Sequence, residues 1–522
     1  MRKRLDPVLI LTLGITVALM AGSVWLISQA SGNFTALFGG TAPAGSDRTG
    51  KIDDLTLLGD TFSGYSTFRN ADFQEALKVS GLRIKYGDEF DQAKRAELLN
   101  QGKADLIVTT LDQFIKQQPQ GKIIGLIDRT AGADAVVLNS KQYPSLKSLL
   151  DLNTLMQQTK AKGQSLGIAF AGDTPSEYLA LVLDTKFDAF NLSDFTITRV
   201  ADASEALKLM QDPKQNVAIA VLWEPFVTQA RQQGQTVVLS SKDAPGAIVD
   251  VLVASDRLIQ SQPQALSDLL ETYYRRIDAN MRDSTQLQQQ IADDGKLSVN
   301  DAAAVMQGIE FFTATEAQNW LKDGTLERRI ASTAAVLVLA GRLDRVPEKP
   351  SLLFTNQFLT KAANNTQTLV ELVRADNPEL ADRLAGKTTT LQALPKVQAT
   401  QIQAGQDIGN LQVRGEVSFA VGSAQLTEQS SKTLENLSQE IKEFNDKTVA
   451  VRVIGHTSQT GTASVNQALS QQRAQVVVDF LRRMGVQHNI VAEGKGFSQP
   501  LANIPPQDAR NQRTEIRLVR IQ

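Results

Sequence analysis

From Val8 to Ser28 the chain runs uncharged for 21 positions, directly after Arg2, Lys3 and Arg4. At about 1.5 Å of rise per residue a helix of that length crosses a hydrocarbon core of about 30 Å, and the basic flank places everything beyond it on the far side. The small-x-small triplet Ser28-Gln29-Ala30 offers a removed signal as the alternative. Signal h-regions usually hold only about 7–15 apolar residues, so the pattern predicts an uncleaved anchor over residues 1–30. No ionisable side chain interrupts the run, which makes it an anchor and not an ion path. Residues 31–50, rich in Gly, Ala, Ser and Thr, read as a flexible stalk.

Apolar runs then alternate with helical periodicity. Runs at Leu55 to Leu58, Leu82 to Tyr86, Leu106 to Thr109, Ile123 to Ile127 and Ala135 to Leu138 read as strands. Leu166 to Phe170, Val217 to Leu222, Val237 to Leu239 and Ile248 to Val253 continue the series. Helical spacing falls between them, around Phe73 to Val79 and Ala93 to Asn100, and dominates from Leu266 to about Leu343. The alternation predicts an α/β fold over residues 51–345, with ligand loops at strand ends. Between residues 346 and 412 the pattern weakens around Pro347, Pro350, Pro378 and Pro395, as in a linker with some helix in it. Pattern returns over residues 413–522, where strand, helix, strand, helix, strand is expected from Leu434, Leu437 and Ile441, from Val449, Val451 and Val453, and from Val477, Phe480 and Leu481.

Composition narrows the chemistry. With 522 residues the chain exceeds one domain, and 54 Lys+Arg against 56 Asp+Glu give a net charge of −2, so nothing in the balance draws it to nucleic acid. Cys is absent and His numbers 2, which removes disulfides, thiol nucleophiles and imidazole-built metal sites, and no cofactor is expected. Gly386-Lys387-Thr388 lacks the earlier glycine of a phosphate-binding loop, and no Gly-x-Ser-x-Gly elbow occurs, so an enzyme is not expected.

The C-terminal region carries Phe419-Ala-Val-Gly-Ser423, Gly455-His456-Thr457, Asn466 to Leu469 followed by Arg473-Ala474, Gly494-Lys-Gly496 and Asn511-Gln-Arg513. In that order the motifs resemble the OmpA-like peptidoglycan-binding domain, an α/β sandwich. The resemblance assigns wall contact to Thr457, Ser458, Asn466, Leu469, Arg473 and Arg513. In the family an aspartate follows the Gly-x-Thr and, with the arginine, grips the amine and carboxylate of a peptide-stem diamino acid; here Ser458 stands in its place. A guanidinium suits a carboxylate, whereas a hydroxyl brings no charge to an ammonium. His456 is expected to be structural and His488 exposed.

The central region carries Gly59-Asp-Thr61-Phe62-Ser63-Gly64-Tyr65, Asp105 to Thr110, Gly132-Ala-Asp134 and Leu222-Trp223-Glu224-Pro225. These resemble periplasmic solute-binding proteins of the nitrate/sulfonate/taurine type, which close two α/β lobes on a ligand. The resemblance nominates Thr61, Phe62, Ser63, Thr109, Thr110, Asp173, Thr174, Ser176, Trp223 and Glu224 as ligand contacts. Independently, Thr174-Pro175-Ser176-Glu177 after a strand fits an N-cap, a first-turn proline and a capping box, opening a helix whose free N–H groups suit an oxyanion. The expectation is therefore a single-pass protein of the bacterial inner membrane, its bulk in the periplasm, with peptidoglycan and a small solute such as an oxyanion as partners. A receptor serving an ABC permease and a purely structural membrane-to-wall connector are the alternatives. MotB-type stator proteins share the layout but need a membrane aspartate, which the run Val8 to Ser28 lacks.

Overall fold

The computed structural model describes residues 53–387, 397–414, 417–419 and 422–521. The expected anchor and stalk lie outside the described residues, and among these no helix is long and apolar enough to cross a membrane.

The first sheet contains β1 (Asp53–Gly59), β2 (Leu82–Asp88), β3 (Leu106–Thr110), β4 (Gly121–Thr130), β10 (Val249–Ser255) and the short β11 (Ile309–Phe311), in the order β11-β4-β10-β3-β1-β2. The second contains β5 (Asp134–Leu138), β6 (Gly167–Ala171), β7 (Thr196–Val200), β8 (Val217–Trp223) and β9 (Thr236–Ser240), in the order β7-β6-β8-β5-β9. Each lobe pairs three strands in parallel and lays one antiparallel strand beside them, β10 in the first lobe and β5 in the second. The chain crosses between lobes twice, from β4 to β5 and from β9 to β10. Strands covered on both faces, such as β3 and β10, are buried at every position, which is why they read as unbroken apolar runs; the edge strand β2 alternates. Strand β7, Thr-Ile-Thr-Arg-Val, was not legible as a strand because this edge exposes its polar positions.

The described residues of 346–412 include packed helices. Helices Thr360–Val373 and Pro378–Leu384 pack their apolar faces beside helix Pro263–Arg282, where the Thr366 hydroxyl donates to Asp278 at 2.7 Å. Burial pushes the Asp278 carboxyl up to about 6.

The third sheet holds β12 (Gln406–Asn410), β13 (Val449–Gly455), β14 (Ile490–Gly494) and β15 (Thr514–Arg520) in the order β12-β15-β13-β14. Helices Glu428–Ile441 and Ala463–Arg483 supply its apolar cover, including Leu434, Leu437, Val477 and Leu481. The expected order of elements is corrected at two places. The strand opening this sheet is β12, which lies ahead of residues 413–522 where the order was expected, while Phe419 forms only an isolated bridge to Leu426. Between the second helix and β15 lies the additional strand β14, half-buried and therefore weakly patterned. A Cβ on Gly455 would stand 2.3 Å from the Ser470 carbonyl oxygen, and one on Gly494 2.5 Å from the Gln471 nitrogen. Glycine at these motif positions lets helix Ala463–Arg483 press onto the strand ends.

This third module is seated on the second lobe and on the β9-to-β10 crossing. Phe187 stacks edge-on against Phe444 at 6.0 Å, and the Arg414 guanidinium donates to the Thr185 carbonyl at 2.7 Å. Asp243, on the crossing and 2% exposed, accepts from Thr448 at 3.0 Å and pairs with Arg520. His488, expected to be exposed, is buried instead: its Nε2 lies 3.0 Å from the Phe444 carbonyl oxygen, and burial lowers its pKa.

Candidate functional site

Two candidate sites are described, one between the lobes and one on the C-terminal module. Between the lobes, the nominated residues scatter in role. In the loop after β1, Thr61 is exposed, Phe62 and Ser63 are half-buried, and Phe62 meets Tyr65 edge-on at 5.3 Å. The Thr109 hydroxyl donates to Gln92 at 2.8 Å, whereas the next side chain, Thr110, is buried with its hydroxyl unpartnered. Glu224 accepts from the Thr228 N–H at 3.1 Å and its hydroxyl at 3.0 Å, serving the first turn of helix Phe226–Gln232. Trp223 ends β8, half-buried, opposite Asp134 in the ladder.

The loop after β6 departs from its expected capping. Thr174 holds the N-cap position and Pro175 the first turn, but the Thr174 hydroxyl donates back to the Ala171 carbonyl at 2.8 Å and caps nothing. Glu177 accepts from the Asp173 N–H at 2.8 Å instead of the N-cap N–H, and it pairs with Arg199 and Arg342, both at 2.9 Å. Both arginines take one carboxylate oxygen, and the other stays with a backbone N–H one residue before the N-cap. Ser176 is fully buried with its hydroxyl unpartnered, and Asp173 reaches Lys116 of the first lobe.

Four aspartates absent from the nominations dominate this region. Asp250 on β10 lies opposite Asp128 of β4 on one side and opposite Thr110 of β3 on the other. The Tyr65 hydroxyl donates to Asp250, and Asp112 and Asp134 stand close enough to act electrostatically on their neighbours. Asp112, Asp128, Asp134 and Asp250 are all at most 5% exposed. Burial, reinforced by the Asp134 charge and partly offset by Asp250, pushes Asp128 up to about 8. Burial raises Asp134 to about 7, with Glu224 and Asp112 adding to the shift, and it raises Asp112 and Asp250 too. A Cβ on Gly64 would lie 2.1 Å from an Asp128 carboxylate oxygen, so only glycine there leaves the carboxyl its place. The sequence did carry a signal for these residues: Asp128 and Asp250 are single acids inside apolar strands, where burial without a partner is costly.

On the C-terminal module, helix Ala463–Arg483 and the loops after β13 and before β15 enclose a pocket of about 180 Å³ lined by Phe419, His456, Arg473, Gln512 and Arg513, among others. Arg473 is 5% exposed, lies 5.0 Å above the Phe419 ring, and donates from Nε to the Ser423 carbonyl at 3.0 Å. It has no carboxylate partner among the described residues, and desolvation lowers its pKa. Gln512 bridges the pair singled out by the motif, accepting from Arg473 at 3.4 Å and donating to the Ser458 hydroxyl at 3.2 Å. Arg513 is engaged by Glu515 at 2.7 Å, and His456 lies 3.3 Å from the same carboxylate. Desolvation would raise Glu515, but His456 and Arg513 outweigh it and hold the carboxyl well below its usual range. Asn466 donates to the Thr460 and Thr462 carbonyls at 2.7 and 3.0 Å, closing the turn into the helix; Thr457 is buried, bonded through its N–H to Gly496, and Leu469 is half-buried.

Residues 418–514 match the OmpA family. Over 90 residues the chain is 36% identical to Outer membrane protein A of Shimwellia blattae, covering 17% of this chain and 37% of that protein. Over 111 residues it is 38% identical to the probable lipoprotein YiaD of Escherichia coli, covering 21% of this chain and 50% of that protein. The chain thus spans half or less of these relatives' length. The region ahead of the module is similar to the periplasmic aliphatic sulphonate binding protein SsuA from Escherichia coli, with a TM-score of 0.46 and 15% identity, over 58% of this chain and 92% of that structure.

Proposed function

We propose that this chain, which ends in an OmpA-family domain, is a cell-envelope protein in which a two-lobed solute-binding body is held to peptidoglycan by that domain. The observation that carries the wall contact is Arg473. A buried guanidinium with no carboxylate partner among the described residues, facing a pocket, is poised to receive a carboxylate, and peptide stems present them. Solute binding is supported by the strand orders, which give two open α/β sheets joined by two crossings, with the helix after β3 meeting the loop after β6 at the Lys116–Asp173 pair. In the same proposal the uncharged run Val8 to Ser28 anchors the chain in the inner membrane, and an ABC permease is a partner the solute-binding body would serve.

A second reading, a structural connector without solute traffic, is favoured by one observation. The OmpA-family domain sits on the β9-to-β10 crossing through Asp243, where it would restrain lobe movement.

The test is co-sedimentation of the full-length protein with purified sacculi. Wild type should pellet, and Arg473→Ala should weaken binding by about 10- to 100-fold, the worth of a hydrogen bond to a charged group. Wild type remaining in the supernatant, or Arg473→Ala pelleting equally well, would remove the wall-binding assignment.

A further inference from the structure

The carboxyl row between the lobes has a sign opposite to an oxyanion site. Among the described residues Asp112, Asp128, Asp134 and Asp250 make no ion pair with lysine or arginine, and Arg95, Arg129 and Lys116 nearby are committed elsewhere. Arg95 holds Asp60 at 2.8 Å, Arg129 holds Glu310 and Glu316 at 2.8 and 2.7 Å, and Lys116 holds Asp173. Residues directly opposite in a ladder share one face of the sheet about 4.5–5.5 Å apart, so Asp128, Asp250 and Thr110 form a single polar row across β4, β10 and β3. That row is rich in unspent acceptors. Both oxygens of Asp128, Oδ1 of Asp112 and the hydroxyl of Thr110, a residue 4% exposed, have no hydrogen-bond partner.

Like charges facing each other in a buried ladder must be neutralised by protons or by a cation. A proton shared by Asp128 and Asp250 satisfies one acceptor and leaves the others without donors. An ammonium carries three N–H donors and a guanidinium five, fanned to reach several oxygens at once. A quaternary ammonium carries none and depends on aromatic faces, yet the Tyr65 hydroxyl is turned to Asp250 here.

We propose that the cleft between the two lobes takes a small organic cation bearing N–H donors, a primary ammonium or guanidinium compound, held by Asp112, Asp128 and Asp250 with Thr110 beside them. This rests on the solute-binding reading of the lobes and reverses the oxyanion expected from the start of helix Pro175–Lys186.

The experiment is a thermal-shift titration of the full-length protein at constant ionic strength. One arm uses methylammonium, putrescine and agmatine, with choline as the cation lacking N–H donors; the other uses nitrate, methanesulfonate and phosphate. A ligand specific for the native state raises the midpoint in a saturable way by mass action. At least one N–H cation should do so, while choline and the oxyanions should not. Asp128→Asn should keep or raise the ligand-free midpoint, since an amide stays neutral without taking up a proton, and should weaken the response at least about tenfold; Thr110→Val should weaken it less. A saturable shift from an oxyanion alone would overturn the cation assignment and leave solute binding standing. A cation shift that survives Asp128→Asn unchanged would overturn the site. Silence from every probe, with Asp128→Asn still raising the midpoint, would make the row a proton-sharing structural element and overturn this proposal together with the solute-binding reading.

Discussion

The aspartate row between the lobes and the C-terminal pocket bury ionisable groups of opposite sign without a counter-ion. Among the described residues, Asp112, Asp128, Asp134 and Asp250 are buried with no basic partner in the first, and Arg473 is buried with no acidic one in the second. Around each, ordinary compensation is in place: Glu177 takes two arginines, and Glu515 takes Arg513 and Arg517. The described residues thus include paired buried groups, such as Glu177 and Glu515, and unpaired ones at the two places proposed above as binding sites. Unmatched buried charge is costly to fold, and sites that bind are where such cost is commonly found.

The largest expected effect separates the two regions by pH. Asp128 and Asp134 have folded-state pKa values of about 8 and about 7, above the 3.8 of an ordinary aspartate. Below about pH 4 both states of the protein hold these protons, and no stability is lost. As pH rises toward 7–8 the unfolded chain ionises while the folded one keeps its protons, so stability falls, by about 1.4 kcal/mol per pH unit for each such group. Burial lowers the His488 pKa, which acts in the other direction below about pH 6.5, so the window from 6.5 to 8 isolates the aspartates. Denaturant titrations should show stability decreasing across that window, with a shallower decrease in Asp128→Asn. A flat profile in wild type would mean that the carboxyl row is not charged at the expense of the fold.

Next in size is the junction between the regions. Asp243→Ala strips Arg520 and Thr448 of their acceptor at a nearly buried position and should cost about 3 kcal/mol. Limited proteolysis should then release the C-terminal module from the lobes. If the module stays protected and stability moves by less than about 1 kcal/mol, the two regions are not coupled through this crossing.

How much of this was legible in the sequence depends on the range of the interactions. Continuous apolar runs exposed the strands covered on both faces, and ordered motifs exposed the OmpA-family module, because both are local patterns. Strands β7, β12 and β14 lie at edges or half-buried, where polar residues break the pattern. The carboxyl row was illegible as a row: Asp128 and Asp250 are far apart in the chain and meet only through ladder register. Likewise, the arginine before Ala474 was readable from its motif, but nothing in the spacing announced that Gln512 would stand between Arg473 and Ser458. The capping box at Thr174 is not formed: Glu177 accepts from the Asp173 N–H, and its other oxygen meets Arg199 and Arg342, which arrive from other elements.

Ser458→Asp carries a smaller effect, restricted to the pocket. It sets an anion beside the buried Arg473 and Gln512, and it should raise affinity for sacculi whose stems carry a free amine by about tenfold, with the gain shrinking as salt is added. A loss of binding would show that the new carboxylate simply occupies Arg473 itself. The smallest effect belongs to the mouth of the cleft. Lys116→Ala removes a pair whose aspartate is 68% exposed and should change stability by no more than about 1 kcal/mol. A larger change would mean that this contact holds the lobes together.

The most direct measurement is competition for sacculus binding by soluble stem peptides that differ only at the carboxylates. If the unpartnered guanidinium of Arg473 is the gripping group, peptides with free carboxylates should displace the full-length protein from sacculi, and the same peptides fully amidated should not. Equal displacement by both, or by neither, would contradict the assignment of this pocket to a carboxylate.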